Sequence, residues 1–306
     1  MIFRNEYTNG VWVDLEQPTA EEVRKIAAEF SLSESIELEL LSPTPVPTVT
    51  GDDGAVLLVL HFPTQGMENG ETKNQEVDFI VGKNFLITVR YEVVAPLHHL
   101  KKLLEAQELV AERAPLTTDV LLETLFAHLY TAMRTHATHI ASELSRVEKD
   151  MFAGKERTTV RLISIISREF LHIEAVLINQ EESLRHFLDA LHQYGHFGPS
   201  FPERAKRILD ERLHIGQIVK THRAIASEMR ETNIAILGAN QNEIMKTLTV
   251  VTFIFLPLEF ITFVYGMHAP GTPLEHHPDA FWLIIGTMAI IGALITVFLI
   301  KKRWIL

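Results

Sequence analysis

Apolar residues along most of this chain come singly or in short groups, until about the last sixty residues, where they merge into two long runs. Residues 248–265 read LTVVTFIFLPLEFITFVY, with Glu259 as the one acidic or basic side chain. Residues 281–300 read FWLIIGTMAIIGALITVFLI and carry no charge. A helix needs about 20 apolar residues to cross a bilayer. The second run is long enough alone, and the first reaches that length by extending through Thr247 and Gly266. Lys246 precedes the first run, Lys301, Lys302 and Arg303 follow the second, and residues 266–280 contain neither Lys nor Arg. The positive-inside rule then predicts a multi-pass protein of the plasma (inner) membrane, with N- and C-termini cytoplasmic and the short connection outside. Two spans cannot enclose a pore, so a conducting form must be oligomeric.

The preceding residues predict an α+β cytoplasmic domain and a long helical stalk. Strands are expected at 11–14, 56–62, 77–81 and 85–91, with Gly82-Lys83-Asn84 as a turn. Pro18, Thr19 and Glu22 mark the start of a helix over 19–30. The stretch SPTPVPTVTGDDG at 42–54 reads as a turn-rich connection. Past Pro96 the period becomes helical, giving helices at about 97–113, 118–150 and 156–193, and GHFGPSFP at 195–202 breaks the run. From Glu203 to Tyr265 the first proline is Pro257. One helix over that stretch is roughly 95 Å long. The expected division is 1–95 α/β region, 96–202 helical region, 203–247 stalk, 248–265 first span, 266–280 external loop, 281–300 second span and 301–306 basic tail.

The stalk has an apolar seam. Ile208, Ile215, His222, Met229 and Ile236 recur every seven residues, and Ile218, Ile225 and Ala239, with Glu211 and Thr232 as polar members, are expected at the alternate heptad position. Continued, the same face presents Asn242, Met245, Thr249, Thr252, Leu256, Glu259 and Phe263. Polar side chains in lipid are costly, so a shared sector predicts a polar or water-filled surface, with interhelical hydrogen bonding as the alternative. On a symmetric pore Glu259 forms a carboxylate ring that attracts cations, holds a partly hydrated metal or carries protons; its other role is a hydrogen bond to an adjacent helix.

Composition narrows the function. The formal charge is −11, with 39 acidic and 28 basic residues, which argues against a nucleic-acid partner and suits a surface that attracts cations. Cysteine is absent, which removes disulfides, thiolate ligands and cysteine nucleophiles. The opening MIFRNEYTNGVWVDL lacks the apolar stretch of a signal peptide. No P-loop, H-E-x-x-H, G-x-S-x-G or kinase motif occurs, so an enzyme is not expected. His136 and His139 lack a carboxylate set of metal-site spacing and read as surface or packing residues.

Tyr265-Gly266-Met267-His268, at the end of the first run and before a short loop and a second run, resembles the Tyr-Gly-Met-Asn signature of CorA-type metal-ion transporters, a family that includes ZntB-like zinc transporters. Residues 242–249 (NEIMKTLT), 255–258 (FLPL) and the basic tail also resemble that family. So do Trp12-Val13-Asp14-Leu15, Pro18-Thr19 and Phe85-Leu86-Ile87-Thr88-Val89-Arg90. The resemblance spans almost the whole chain. It implies a CorA-like funnel-shaped homopentamer of identical subunits among membrane lipids, whose first membrane helices line the pore. It places Asn242 at the cytoplasmic mouth, Met245 and Leu256 at apolar constrictions and Thr249 on the pore. Tyr265, Gly266, Met267 and His268 take the external selectivity signature, and Glu275 matches an acidic loop residue.

His268 stands where the family has asparagine, and Glu259 where it commonly has an uncharged residue. Magnesium keeps a water shell that oxygen groups receive, whereas imidazole coordinates zinc, cobalt or nickel directly. His268 and Glu259 are therefore the candidate metal contacts, and Glu275, His276 and His277 the candidates for external cation attraction. No cofactor is implied; the divalent cation is substrate, and a regulatory ligand in the resembling channels. Asp210 and Glu211 near the stalk either contribute to an internal metal sensor or, in the preferred reading, form a solvated helical face, and the sequence leaves the sensor unassigned. The expected activity is magnesium influx, the alternatives being zinc, cobalt or nickel transport with proton coupling, or a non-conducting metal-responsive scaffold.

Overall fold

The computed structural model describes residues 2–7, 9–52, 54–68, 71–108, 116–267 and 278–302. They form two units, Met1–Arg230 and Glu231–Leu306. The first holds one six-stranded sheet in the order β1-β2-β6-β5-β4-β3. Its strands are β1 (Ile2–Tyr7), β2 (Gly10–Glu16), β3 (Thr48–Asp52), β4 (Ala55–Glu68), β5 (Glu71–Gly82) and β6 (Phe85–Arg90). Every neighbouring pair is antiparallel except β2 with β6. The crossover between those two parallel strands carries helices α1 (Ala20–Glu29) and α2 (Glu34–Glu39) as well as β3, β4 and β5. At the β5–β6 turn, a side chain on Gly82 would meet the Phe85 ring at 2.3 Å, so any larger residue there must displace that ring.

Both faces of the sheet are covered, which is why β4 reads as a nearly unbroken apolar run. Alternate residues point to opposite faces. Trp12, Leu58, Leu60, Val77, Phe79 and Leu86 join one core with α3 (Ala95–Glu108), α4 (Thr118–Phe152) and α5 (Glu156–Gln193). Val13, Leu15, Leu57, Val59, Ile80, Ile87 and Val89 pack with Val23 and Ile26 of α1 and with Ile36 and Leu40 in and beside α2. Each such side chain contributes about 1.5–3 kcal/mol by leaving water. Thr19 caps α1 through a complete capping box with Glu22, as the sequence predicts.

Three elements were not expected. Strand β1 precedes the first predicted strand, and α2 is a six-residue helix. The stretch 42–54 is not wholly a connection, because β3 lies inside it and pairs with β4 from Thr48↔Val59 to Asp52↔Ala55. The part of the predicted helix 97–113 beyond residue 108 falls outside the described residues.

Helix α6 runs unbroken from Phe201 to Gly266. Arg204 and Arg207 near its start bind Glu123 of α4 at 2.7 and 2.6 Å, and Arg204 also pairs with Asp119 at 3.0 Å. Within the first unit its buried positions are Ile208, Arg212, Ile215, Val219, Ala226 and Met229, with His222 stacked on Phe170 at 5.7 Å. The 208, 215, 222, 229 column is therefore as predicted, but the alternate column is 212, 219, 226 rather than 211, 218, 225. Ile225 is 41% exposed. Glu211, offered as a sensor residue, pairs with Arg134 of α4 at 3.0 Å. Arg212 enters the seam because its guanidinium reaches Leu177 O at 2.8 Å and Glu181 at 3.1 Å, so its stem can be buried while its charge is satisfied.

The second unit contains the end of α6 and helix α7 (Ala280–Lys301). Both helices are long and apolar enough to cross a membrane. Their large side chains point outward: Phe255, Phe260, Phe263, Trp282, Leu294 and Val297 are each more than half exposed. Water would not tolerate such a surface, and lipid does. Pro257 lies inside α6 without ending it, although proline has no N–H to return to the carbonyl four residues earlier.

Candidate ion-pathway face of the first apolar span

The span part of α6 has two contrasting sides. Residues 250, 254, 257, 258, 261, 264 and 265 are partly covered. Two contacts identify what covers them: Leu258 Cδ1 lies 3.8 Å from the place a side chain on Gly292 would occupy, and Thr262 Oγ1 is 4.0 Å from Met288 Sδ. Asn242, Met245, Thr252, Leu256, Glu259 and Phe263 are exposed, and Thr249 is half-buried. At 3.6 residues per turn these seven predicted residues fall on the side roughly opposite the α7-covered one. The sequence-based stripe is thus brought together on one helix face, spanning about 26 Å from Asn242 to Glu259 at 1.5 Å per residue.

The chemistry along that stripe is graded. Thr249 donates to Met245 O at 2.8 Å and Thr252 to Leu248 O at 2.9 Å. With the hydroxyl hydrogen committed to the helix, each threonine presents oxygen lone pairs outward. Met245 and Leu256 interpose apolar groups, 54% and 61% exposed. Glu259 makes no hydrogen bond or ion pair among the described residues, so its carboxylate is open to whatever occupies that side. One turn further, Met267 N donates to Phe263 O at 3.1 Å, so helical bonding reaches the signature. Tyr265 is half-buried, and Gly266 and Met267 are exposed. His268, Glu275, His276 and His277 lie outside the described residues.

Among the described residues, no group of three or more His, Asp or Glu side chains is arranged to hold a metal ion. His136 is half-buried, and burial holds its imidazole below the ordinary range. The sequence reading also missed a buried network joining two of the stretches that carry the family resemblance. Arg90, fully buried, donates to Asp14 at 2.8 Å and to Glu16 at 2.8 Å, while Thr88 donates to Asp14 and accepts from the Trp12 indole at 3.0 Å. The parallel register Asp14↔Thr88 and Glu16↔Arg90 produces it. The signal was a lone Asp and a lone Arg inside two apolar strands.

Comparison with known proteins decides the family. The model of the family described as CorA-like Mg2+ transporter protein matches residues 8–303. The chain belongs to that family. The cobalt/magnesium transport protein CorA of Methanocaldococcus jannaschii is 22% identical over 302 residues, covering 96% of this chain and 91% of that protein. The CorA of Thermotoga maritima bearing the same description is 22% identical over 292 residues, covering 92% and 80%. The complete structure of the M. jannaschii CorA magnesium transporter superposes with a TM-score of 0.76 at 22% identity, over 99% of this chain and 94% of that one. The cytoplasmic domain of ZntB from Vibrio parahaemolyticus shares the fold more distantly, with a TM-score of 0.54 at 13% identity over 74% and 89% of the chains. The α+β unit followed by the long helix α6, whose end is the first apolar span, and by the apolar helix α7 is therefore a CorA fold. As a CorA-family member the chain is a membrane transporter of divalent metal cations and not an enzyme.

Proposed function

We propose that the chain assembles as a homopentamer in the plasma (inner) membrane, with both termini cytoplasmic, and conducts magnesium inward along the 242–263 face of α6. The observation that carries this reading is the stripe opposite α7. Its oxygen-bearing and apolar positions are interspersed along one side of a span whose other side is already covered. Five copies placing that side inward give rings of Asn242, Thr249, Thr252 and Glu259 oxygens, which receive the waters of a hydrated magnesium ion. Rings of Met245 and Leu256 between them exclude water and close the path until the helices separate or rotate. The Glu259 ring concentrates cations below the external signature, and Glu275, His276 and His277 attract them to its mouth. A membrane potential of 100 mV, negative inside, drives each divalent ion inward with about 4.6 kcal/mol.

A second reading, supported by His268 in the asparagine position of the signature, is transport of zinc, cobalt or nickel with proton coupling. Purified chain reconstituted in liposomes separates the two. Magnesium and zinc uptake would be followed between about pH 6 and pH 8, with and without a proton gradient, the range in which an imidazole titrates. Magnesium uptake indifferent to the gradient is expected. Zinc uptake that follows the gradient would overturn the magnesium assignment. Crosslinked mass in detergent reports the number of copies, and any value other than five refutes the pentamer.

A further inference from the structure

The sheet face under α1 and α2 carries acidic side chains that the proposed transport does not use. Glu76 and Asp78 are two residues apart on β5 and so share that face. Asp78 is 1% exposed, and the Glu76 side chain 7%. Glu76 accepts the Thr44 N–H on both carboxylate oxygens, each at 2.9 Å. Thr44 Oγ1 donates to Glu39 of α2 at 3.2 Å. His61, opposite Glu76 on β4, lies with Nε2 at 2.8 Å from Thr44 O and 3.5 Å from Glu76. A carbonyl only accepts, so that nitrogen carries a hydrogen. The Tyr91 hydroxyl, just past β6, is 3.2 Å from Leu40 O and 3.3 Å from Asp78 Oδ2. The chain from Leu40 to Thr44 is thus fastened to the sheet through this cluster.

The basic side chain beside these carboxyls is His61, 3.5 Å from Glu76. Among the described residues no Lys or Arg pairs with Glu39, Glu76 or Asp78. Arg24 of α1 is paired with Glu37 at 3.8 Å, and residues 41–47 contain no ionisable group. Asp78 Oδ1 has no donor directed at it. Two neighbouring buried carboxyls do not both ionise readily. Burial first, then the Glu76 charge and a side-chain hydrogen bond with Glu76, push the Asp78 carboxyl well above the ordinary carboxylate range. Burial and the Asp78 charge push the Tyr91 phenol up as well.

We propose that Asp78 and Glu76 share one proton, carried on Asp78 Oδ1 and donated to Glu76, and that this proton is the catch holding α2 and the 40–47 segment on the sheet. Its loss to solvent leaves two buried charges side by side with Glu39 close by, and the segment opens to admit water. The folded form binds this proton more tightly than the unfolded chain does. The stabilisation is therefore complete below the ordinary carboxylate pKa and is lost as pH rises through the raised folded value.

Hydrogen exchange on the full chain in detergent, corrected for intrinsic rates, tests the catch. Peptides covering residues 40–44 would be followed from about pH 5 to about pH 8, with α4 peptides as the control. Opening in the native chain should rise by up to about tenfold per pH unit within the titration window, the slope of a one-proton linkage. Asp78→Asn keeps a donor toward Glu76 and should be flat. Parallel profiles in the native chain and in Asp78→Asn would overturn the proposal, as would a slope that survives Asp78→Asn but disappears in His61→Gln. If Asp78→Asn fails to fold, Glu76→Gln is read in the same way. Infrared difference spectra of the native chain add an independent reading: a protonated-carboxyl band that disappears in step with the opening of residues 40–44 is expected, and its absence overturns the proposal.

Discussion

One helix, α6, carries two opposite treatments of apolar side chains. In its first thirty residues (201–230) the buried ones lie in a narrow column: Ile208, Ile215, Val219, Ala226 and Met229 are each at most 6% exposed, and the surface outside the column is mostly polar, with Leu213 and Ile225 as exposed apolar exceptions. Between residues 248 and 266 apolar side chains project on nearly all sides, and most polar groups share one side instead, Thr262 beside Met288 being the exception. The backbone is the same in both stretches, so the contrast records the surroundings. Where water is the solvent, an apolar stripe is what must be hidden. Where lipid is the solvent, the polar stripe takes that place.

The largest expected effect breaks the first half. Ile215→Ala removes a fully buried side chain and should cost about 2–5 kcal/mol, read as a fall in the thermal transition of the full chain. Leu256→Ala, at a position 61% exposed, should leave that transition in place and raise magnesium uptake in liposomes; a comparable loss of stability would erase the contrast. Next, Arg212→Met strips the hydrogen bond from Leu177 O and should cost about 1–3 kcal/mol by the same assay. Glu259→Gln tests the second half by charge alone: removing the proposed ring should reduce cation uptake by about tenfold at low ionic strength, with less effect as salt is raised. Uptake equal to the native chain at both salt levels would sink the role given to Glu259. The smallest effect is expected of Ile225→Gln, within about 0.5 kcal/mol of native stability, because its position lies outside the buried column.

The sequence showed the broad architecture wherever a pattern was long. The helix from Phe201 to Gly266 was visible because one proline interrupts its later part, and α7 because no charge interrupts it. Short or edge elements were hidden. Strand β3 has five residues, follows three closely spaced prolines and pairs on one side only, and α2 is too short to show a period. The seam was misread by one column because its inner positions hold Arg212 and Ala226 while isoleucines sit beside them at 218 and 225. Apolar counting alone favours the wrong column. The candidate pathway was legible as a helix face, since spacing fixes a face. The Asp14–Arg90 pair was not, because 76 residues separate its members and only strand register joins them.

Pro257 bears on how readily this span can lie bare in lipid. Lacking an N–H, it releases the Phe253 carbonyl from its usual partner in the middle of an apolar span. Hydrocarbon offers no donor in exchange, and an unsatisfied carbonyl there costs several kcal/mol. A packed helix, a Ser or Thr hydroxyl or water can supply that donor, so a span left bare at this one peptide is penalised and a covered one is not.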